Sequence, residues 1–233
     1  MAKTTKEKFK TYKNVFDNFT IRTILKLISQ NHFDGLSSPL FIGKESNVFT
    51  AEKEDEVVVV KIYRLETCDF KKMFEYIRCD ERYTSLRRTR REIIFSWVQR
   101  EYRNILKARE AGVLVPKPLA IVNNIIVMEL IGDGVAAPKL KDHYPKNPKK
   151  FFAEVLKNMK RMHKADLVHG DLSEFNILNH NETPYFIDFS QCTLTKSPNA
   201  TELLERDVRN IVKFFNKLGL ELDEKEVMKK IIK

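Results

Sequence analysis

His169-Gly170-Asp171-Leu172-Ser173-Glu174-Phe175-Asn176-Ile177-Leu178 sets an acid and, after four intervening residues, an amide between apolar flanks. With that spacing one turn of chain presents a base and a metal ligand side by side, as phosphoryl-transfer enzymes require. Asp171 and Asn176 fill the two places. Downstream, Tyr185-Phe186-Ile187-Asp188-Phe189 is a short apolar run that ends in a second acid. Asp188 stands where such enzymes carry a metal-binding Asp, although the glycine of the D-F-G motif is absent. Ordinary surface turns also carry an Asp and an Asn at this spacing, so the rest of the chain has to decide.

Upstream, Val57-Val58-Val59-Val60-Lys61-Ile62-Tyr63 is the strongest strand signal, β-branched and preceded by an acidic turn. Alternation puts Lys61 on one face with Val57, Val59 and Tyr63, where a lysine is costly to bury unless an acid or a phosphate meets it. The pattern matches the V-A-I-K strand, whose Lys holds α- and β-phosphates, with Val59 in place of Ala. An edge lysine that snorkels to water is the competing reading. Residues 93–111 read as a helix closed by Gly112, with Ile94, Val98, Ile105 and Ala108 in one stripe and Glu101 on it. An inward carboxylate needs a partner, and Lys61 is the candidate. Glu92, near the helix start, is the rival acid, explained there by the macrodipole alone.

Leu40-Phe41-Ile42-Gly43-Lys44-Glu45-Ser46-Asn47-Val48-Phe49 reads as strand, turn and strand, with small and polar residues at the tip. Backbone N–H groups, Ser46 and Lys44 would all donate to phosphate oxygens. With Gly43 as the single glycine, an ordinary hairpin fits equally well. A hinge is expected after Ile125-Ile126-Val127-Met128-Glu129-Leu130-Ile131-Gly132, where Glu129 and Ile131 would offer backbone groups to an adenine and Met128 would line the pocket behind. A plain core strand also explains the apolar residues there.

Residues 16–30 carry Ile21, Ile24, Leu25 and Ile28 at helical spacing, with Asn18 or Thr20 to cap. Residues 64–91 are charged and irregular, ending in Arg87-Arg88-Thr89-Arg90-Arg91, a cluster suited to RNA phosphate or to a solvated face. Residues 138–148 read as polar linker between a mostly β half and a mostly α half. Residues 151–164 and 201–218 read as helices, the second capped by Thr201 or Asn199. On its apolar edge Asp207 either braces the loop at 169–178 or, more simply, pairs at the surface with an Arg.

The chain has 233 residues, 42% of them hydrophobic and 32% charged, a balance that favours a globular fold over disorder or a membrane class. A charge of +10 fits a phosphate-rich partner such as RNA, and equally a well-solvated basic surface. Three cysteines, odd in number and without CxxC spacing, indicate free thiols. No apolar run approaches a spanning helix and the charged start lacks a signal-peptide core, so a cytoplasmic location without membrane contact is expected.

Six motifs agree in order and spacing: Gly43 to Phe49, Val60-Lys61-Ile62-Tyr63-Arg64, Glu101-Tyr102-Arg103-Asn104, His169 to Leu178, Ile187-Asp188-Phe189-Ser190-Gln191, and Glu205-Arg206-Asp207-Val208-Arg209-Asn210. On these the chain resembles the RIO family of atypical protein kinases, and its first subfamily in a short archaeal form. The resemblance implies an α+β, two-lobed and reduced kinase-like fold with a small N-terminal helical extension. The expected divisions are residues 1–36 for the extension, 37–131 for the N-lobe with a flexible charged insert at 64–91, and 132–233 for the C-lobe. It implies ATP with Mg2+ or Mn2+, serine/threonine kinase and ATPase activity through a phosphorylated Asp188, and action in small ribosomal subunit maturation, with the precursor subunit and its RNA as partner. Carried onto this sequence, Lys61 holds the α/β-phosphates and Glu101 orients it. Ser46 and Lys44 lie at the phosphates, Asp171 is base or nucleophile positioner, Asn176 and Asp188 bind metal, and His169 shapes the loop. About 45 residues follow Asp188 without an A-P-E segment, as a reduced fold would have. Small-molecule phosphotransferases of the aminoglycoside or choline type share His-Gly-Asp, but need a larger helical subdomain than one long helix. A nucleotide-gated RNA or ribosome assembly factor with incidental catalysis is the third reading.

Overall fold

The β-branched run at Val57 to Val60 forms the middle of an antiparallel sheet. The computed structural model describes residues 16–83 and 89–233. Five strands, β1 (Gly35–Ile42), β2 (Ser46–Lys53), β3 (Glu56–Tyr63), β4 (Pro118–Val122) and β5 (Ile125–Glu129), run in the order β1-β2-β3-β5-β4. Alternation along β3 divides its side chains between two cores. Val58, Val60 and Ile62 pack with Ile21, Ile24 and Leu27 of helix α1 (Asn18–Ser29). On the opposite face Val59 and Tyr63 pack with Ile94, Trp97 and Val98 of helix α3 (Arg90–Glu110). Each fully buried aliphatic side chain here contributes about 1.5–3 kcal/mol. Lys61 therefore points at α3, as its place in the alternation requires.

Helix α1 is capped by Asp17, ahead of both Asn18 and Thr20. The Asp17 carboxylate accepts from the N–H groups of Phe19 and Thr20, both at 2.9 Å. Gly35 is the first residue of β1, paired with Glu52, so the sheet begins just before the expected boundary at residue 37. The segment at 64–91, expected to be irregular, holds helix α2 (Phe70–Arg78), capped by Asp69, with Met73 and Ile77 buried against α3. Its polar surface hid a narrow apolar stripe. Arg87 and Arg88 lie outside the described residues.

The second half is mostly helical, with α4 (Pro148–Lys164), α5 (Ala200–Lys217) and α6 (Glu224–Ile232) around two short hairpins, β6 (Leu167–Val168) with β9 (Thr193–Leu194) and β7 (Ile177–His180) with β8 (Thr183–Phe186). Two expectations change here. The stretch at 138–148 is not merely linker, because Leu140 is fully buried and its N–H donates to Ile177 C=O at 2.8 Å. A further helix, α6, follows α5, capped by Asp223, and buries Val227 and Ile231 in the same core. Asn199 occupies the N-cap position of α5 without a side-chain capping bond.

Candidate active site

Lys61 is the hub. Its Nζ donates to Glu101 Oε1 at 2.7 Å and to Asp188 Oδ1 at 2.9 Å, joining β3, α3 and the loop after β8. Tyr63, two residues along the same face, donates its hydroxyl to Glu101 Oε2 at 2.6 Å. Glu101 is thus the acid that meets Lys61, and Glu92 is not. The snorkelling alternative fails because Lys61 is buried. Burial alone would lower the Lys61 pKa, but the charges of Asp188 and Glu101 outweigh it and hold the ammonium protonated. Burial likewise pushes the Glu101 carboxyl up, against the pull of Lys61. For Asp188 burial acts upward, yet Lys61 and the Ser190 N–H win and hold it well below the usual carboxylate range.

The loop at 169–178 is braced from α5. Asp207 is buried, and its carboxylate accepts from Gly170 N–H at 2.8 Å and Leu172 N–H at 2.7 Å. The surface pair with an Arg was the simpler expectation, but two inward backbone donors need an acceptor more than solvent needs a carboxylate. Burial raises the Asp207 pKa to about 7 against those two hydrogen bonds. The Arg206 guanidinium donates to Gly170 C=O, and Asn210 Nδ2 to Leu172 C=O at 3.2 Å. Gly170 has φ +77°, and a Cβ there would stand 2.9 Å from Gln191 C=O, so the turn admits glycine alone. Within the loop Asn176 Nδ2 donates to Asp171 C=O at 2.8 Å and to Asp171 Oδ2 at 3.2 Å, which puts the acid and the amide together. Burial, then the nearby Asp188 charge, pushes the Asp171 carboxyl above the usual carboxylate value.

His169 is buried, and its Nε2 lies 3.1 Å from Ile187 C=O, the residue before Asp188. It ties the two acidic loops together, as expected of a residue that shapes the loop. Burial lowers its pKa from 6.5 to about 4, so the ring is neutral and Nε2 carries the proton. An unfolded chain takes up a proton near pH 6.5 that the folded chain refuses until about 4. Stability present above the first value is lost as pH falls through the second, by up to about 3 kcal/mol. Urea unfolding across that window should show this slope, and His169→Phe should flatten it. Parallel pH profiles for the two proteins would refute the assignment.

A second buried network was not anticipated. Arg100, fully buried in α3, donates from Nε to Asp80 Oδ2 at 3.0 Å and from Nη1 to Ser190 C=O at 3.1 Å. Arg82 closes on the same carboxylate at 2.6 Å and reaches Asn104 Oδ1 at 3.0 Å, while Asn104 Nδ2 donates to Cys192 C=O at 2.8 Å. Tyr76 Oη donates to Gln191 Oε1 at 3.1 Å, an oxygen also reached by Arg206. The segment after β3 is therefore fastened to the residues that follow Asp188. That support matters because Asp188 adopts the left-handed conformation, φ 62° and ψ 71°, costing an L-residue about 1–2 kcal/mol. Asp80, Arg82 and Arg100 belong to none of the six motifs, whereas Asn104, Ser190, Gln191 and Arg206 do.

At the tip between β1 and β2, Gly43 N–H donates to Ser46 C=O at 3.0 Å, Ser46 and Asn47 are buried, and Lys44 is exposed. Arg64 N–H and Cys68 Sγ both donate to Glu45 C=O, anchoring the tip to the end of β3. Met128 is buried in the core beside Trp97. Glu129 is exposed at the end of β5, its N–H donating to Lys117 C=O at 2.8 Å, and Ile131 C=O accepts from Ala137 N–H at 2.8 Å. An adenine at this edge would have to meet the Glu129 carbonyl and the Ile131 N–H.

A family model described as the RIO domain matches residues 47–228, more than half of the chain. The chain belongs to the RIO domain family. RIO-type serine/threonine-protein kinase Rio1 of Haloferax volcanii is 39% identical over 219 residues, covering 93% of this chain and 76% of the relative. That of Methanocaldococcus jannaschii is 40% identical over 227 residues, covering 97% and 78%. The crystal structure of the Rio2 kinase-ADP/Mg2+-phosphoaspartate complex from Chaetomium thermophilum superposes with a TM-score of 0.68 at 27% identity, over 91% of this chain and 66% of that one. This RIO domain is of Rio1 type, with a mixed α/β kinase-like fold, and is a kinase-class phosphotransferase. Membership of this family favours the protein-kinase reading over the aminoglycoside- or choline-type alternative.

The donor set of this RIO domain suits a hard cation. Among the described residues no group of three or more His, Cys, Asp or Glu is gathered at one point. Mg2+ is commonly held by one or two protein oxygens together with substrate phosphates. Asn176 turns its Nδ2 to Asp171, which frees Oδ1, and Asp188 engages Lys61 and Ser190 through Oδ1, which frees Oδ2. Among the described residues no helix is long and apolar enough to cross a membrane.

Proposed function

We propose that this RIO domain binds ATP with Mg2+ or Mn2+ and transfers the γ-phosphoryl group to Asp188, and that water or a Ser/Thr hydroxyl then takes it on. The observation that carries the reading is the Lys61 ammonium held by Glu101 at 2.7 Å and facing Asp188 at 2.9 Å. Lys61 would contact the α/β-phosphates, Ser46 and Lys44 the phosphates from the tip, and Met128, Glu129 and Ile131 the adenine edge. Asn176 and Asp188 would hold the metal, and the stretch punctuated by Gly132, Gly134 and Pro138 would be the hinge. A cation held by Asn176 and Asp188 would supply charge neutralisation at the phosphate oxygens. An Asp188 oxygen attacks the γ-phosphorus, the bond to the β,γ-bridging oxygen breaks, and ADP leaves with that electron pair. Water then adds at phosphorus with its proton passing to Asp171, and phosphate departs as the Asp188 carboxylate is restored. The phosphoaspartate in the Rio2 complex supports this route.

The proposed partner is the immature small ribosomal subunit and its RNA, supported by the charge of +10 and by the family resemblance. ATP turnover measured with and without precursor particles tests it. Precursors should bind the wild type and change its rate, while Lys61→Met should lower turnover by at least about a hundredfold in both conditions. Particles that neither bind nor alter the rate would end the assembly role, and an unchanged rate in Lys61→Met would end the phosphotransferase assignment of this site.

A further inference from the structure

A second lysine stands at the mouth of the same cleft. Lys139 pairs with Leu178 as an antiparallel bridge, and beside it Leu140 N–H donates to Ile177 C=O at 2.8 Å. Its backbone is therefore locked alongside β7, the strand that begins directly after Asn176. From there the side chain crosses toward the tip of β1, and its Nζ lies 5.3 Å from the centre of the Phe41 ring. Phe41 is itself 52% exposed, two residues before Gly43.

Lys139 is half-buried. Among the described residues no carboxylate pairs with it, whereas Lys141, two positions on, has Asp142 at 2.6 Å. A ring face takes up the charge of a lysine but accepts none of its three N–H protons well. The charged groups that face it are Asp188 and Asp142, which attract it, and Lys61 and Lys141, which repel it. Burial outweighs these and lowers its pKa, as it does for a cation held short of acceptors. Lys61, in contrast, has two of its protons committed to Glu101 and Asp188.

We propose that Lys139 is a second phosphate-binding lysine of the nucleotide site, its ammonium leaving the Phe41 ring for a phosphate oxygen of the bound nucleotide. The inference rests on the ATP reading above and adds a residue to it. Phe41 then acts as a placeholder that keeps the cation at the cleft mouth before the nucleotide arrives. RNA phosphate is a poorer fit, because the ammonium sits between the tip of β1 and the strand behind Asn176 rather than on an open face.

Calorimetric titration of the full chain with ATP, ADP and adenosine in the presence of Mg2+ tests this. Lys139→Met should weaken ATP and ADP by about tenfold, leave adenosine within about twofold, and be rescued by Lys139→Arg. Phe41→Ala, which keeps the ammonium, should retain the preference for ATP over adenosine. Equal weakening of ATP and adenosine in Lys139→Met, or no weakening of either, would overturn the proposal, as would loss of the preference in Phe41→Ala. Lys61→Met separates the two readings. If it still turns over ATP, the nucleotide site itself is misassigned, whereas its inactivity beside an unaltered Lys139→Met removes Lys139 alone.

Discussion

Asp188→Ala should lose ATP turnover by at least about a thousandfold and lose the phosphoenzyme with it, while Asp171→Ala loses turnover to a similar extent and still forms the phosphoenzyme. The difference follows from geometry. Asp188 faces the Lys61 ammonium at 2.9 Å and leaves its other oxygen without a protein donor among the described residues, which suits it to the proposed roles of metal ligand and acceptor. Asp171 is held by Asn176 and has its carboxyl pushed upward by burial, which suits it to take the proton of the second, hydrolytic step. Acid quenching after reaction with γ-labelled ATP, followed by hydroxylamine, reads both steps at once. An acyl phosphate survives the acid and is released by hydroxylamine. Label that persists in Asp188→Ala would move the acceptor elsewhere, and unchanged turnover in both variants would remove the catalytic assignment.

Arg100→Met should cost about 3–5 kcal/mol of stability, a fall in melting temperature of roughly 10 °C, although Arg100 touches no part of the proposed substrate. The variant keeps the bulk of the side chain but strands Asp80, which is buried with 0% side-chain exposure, on Arg82 alone. It also releases Ser190 C=O, two residues after the left-handed Asp188. Phosphoenzyme formation should therefore slow in parallel at temperatures where the variant is still folded. Arg100→Met combined with Asp80→Leu removes the stranded charge and should recover most of the melting temperature without recovering the rate. A single variant that melts with the wild type would show that the network carries no stability, and a double variant with full activity would show that it does not position the Asp188 loop.

The two halves of the site were legible to different degrees. Glu101 could be matched to Lys61 because each broke an apolar pattern of known period, one on a strand and one on a helix, and burial makes two such breaks seek each other. Asp207 broke its helix pattern in the same way, yet its partners are the N–H groups of Gly170 and Leu172, and backbone donors leave no mark in a sequence. Helix α2 was hidden for a related reason. Between Phe70 and Arg78 only Met73 and Ile77 are buried, one residue per turn, too narrow a stripe to stand out among charges. Lys139 carried no signal, since its neighbour in space, Phe41, is far away in sequence and belongs to a different strand.

What the sequence by itself determined is the class of site and the family. A strand lysine, a helix glutamate, an acid–amide loop and a second acid are local patterns, each set by side-chain period or by the reach of one turn. What only the tertiary structure decided is which groups hold those four in place. The Asp207 brace, the Asp80–Arg100–Ser190 fastening and the Phe41–Lys139 contact all join segments whose pairing depends on how helices pack against the sheet and against each other, and long-range packing directions are not written in any single stretch of chain.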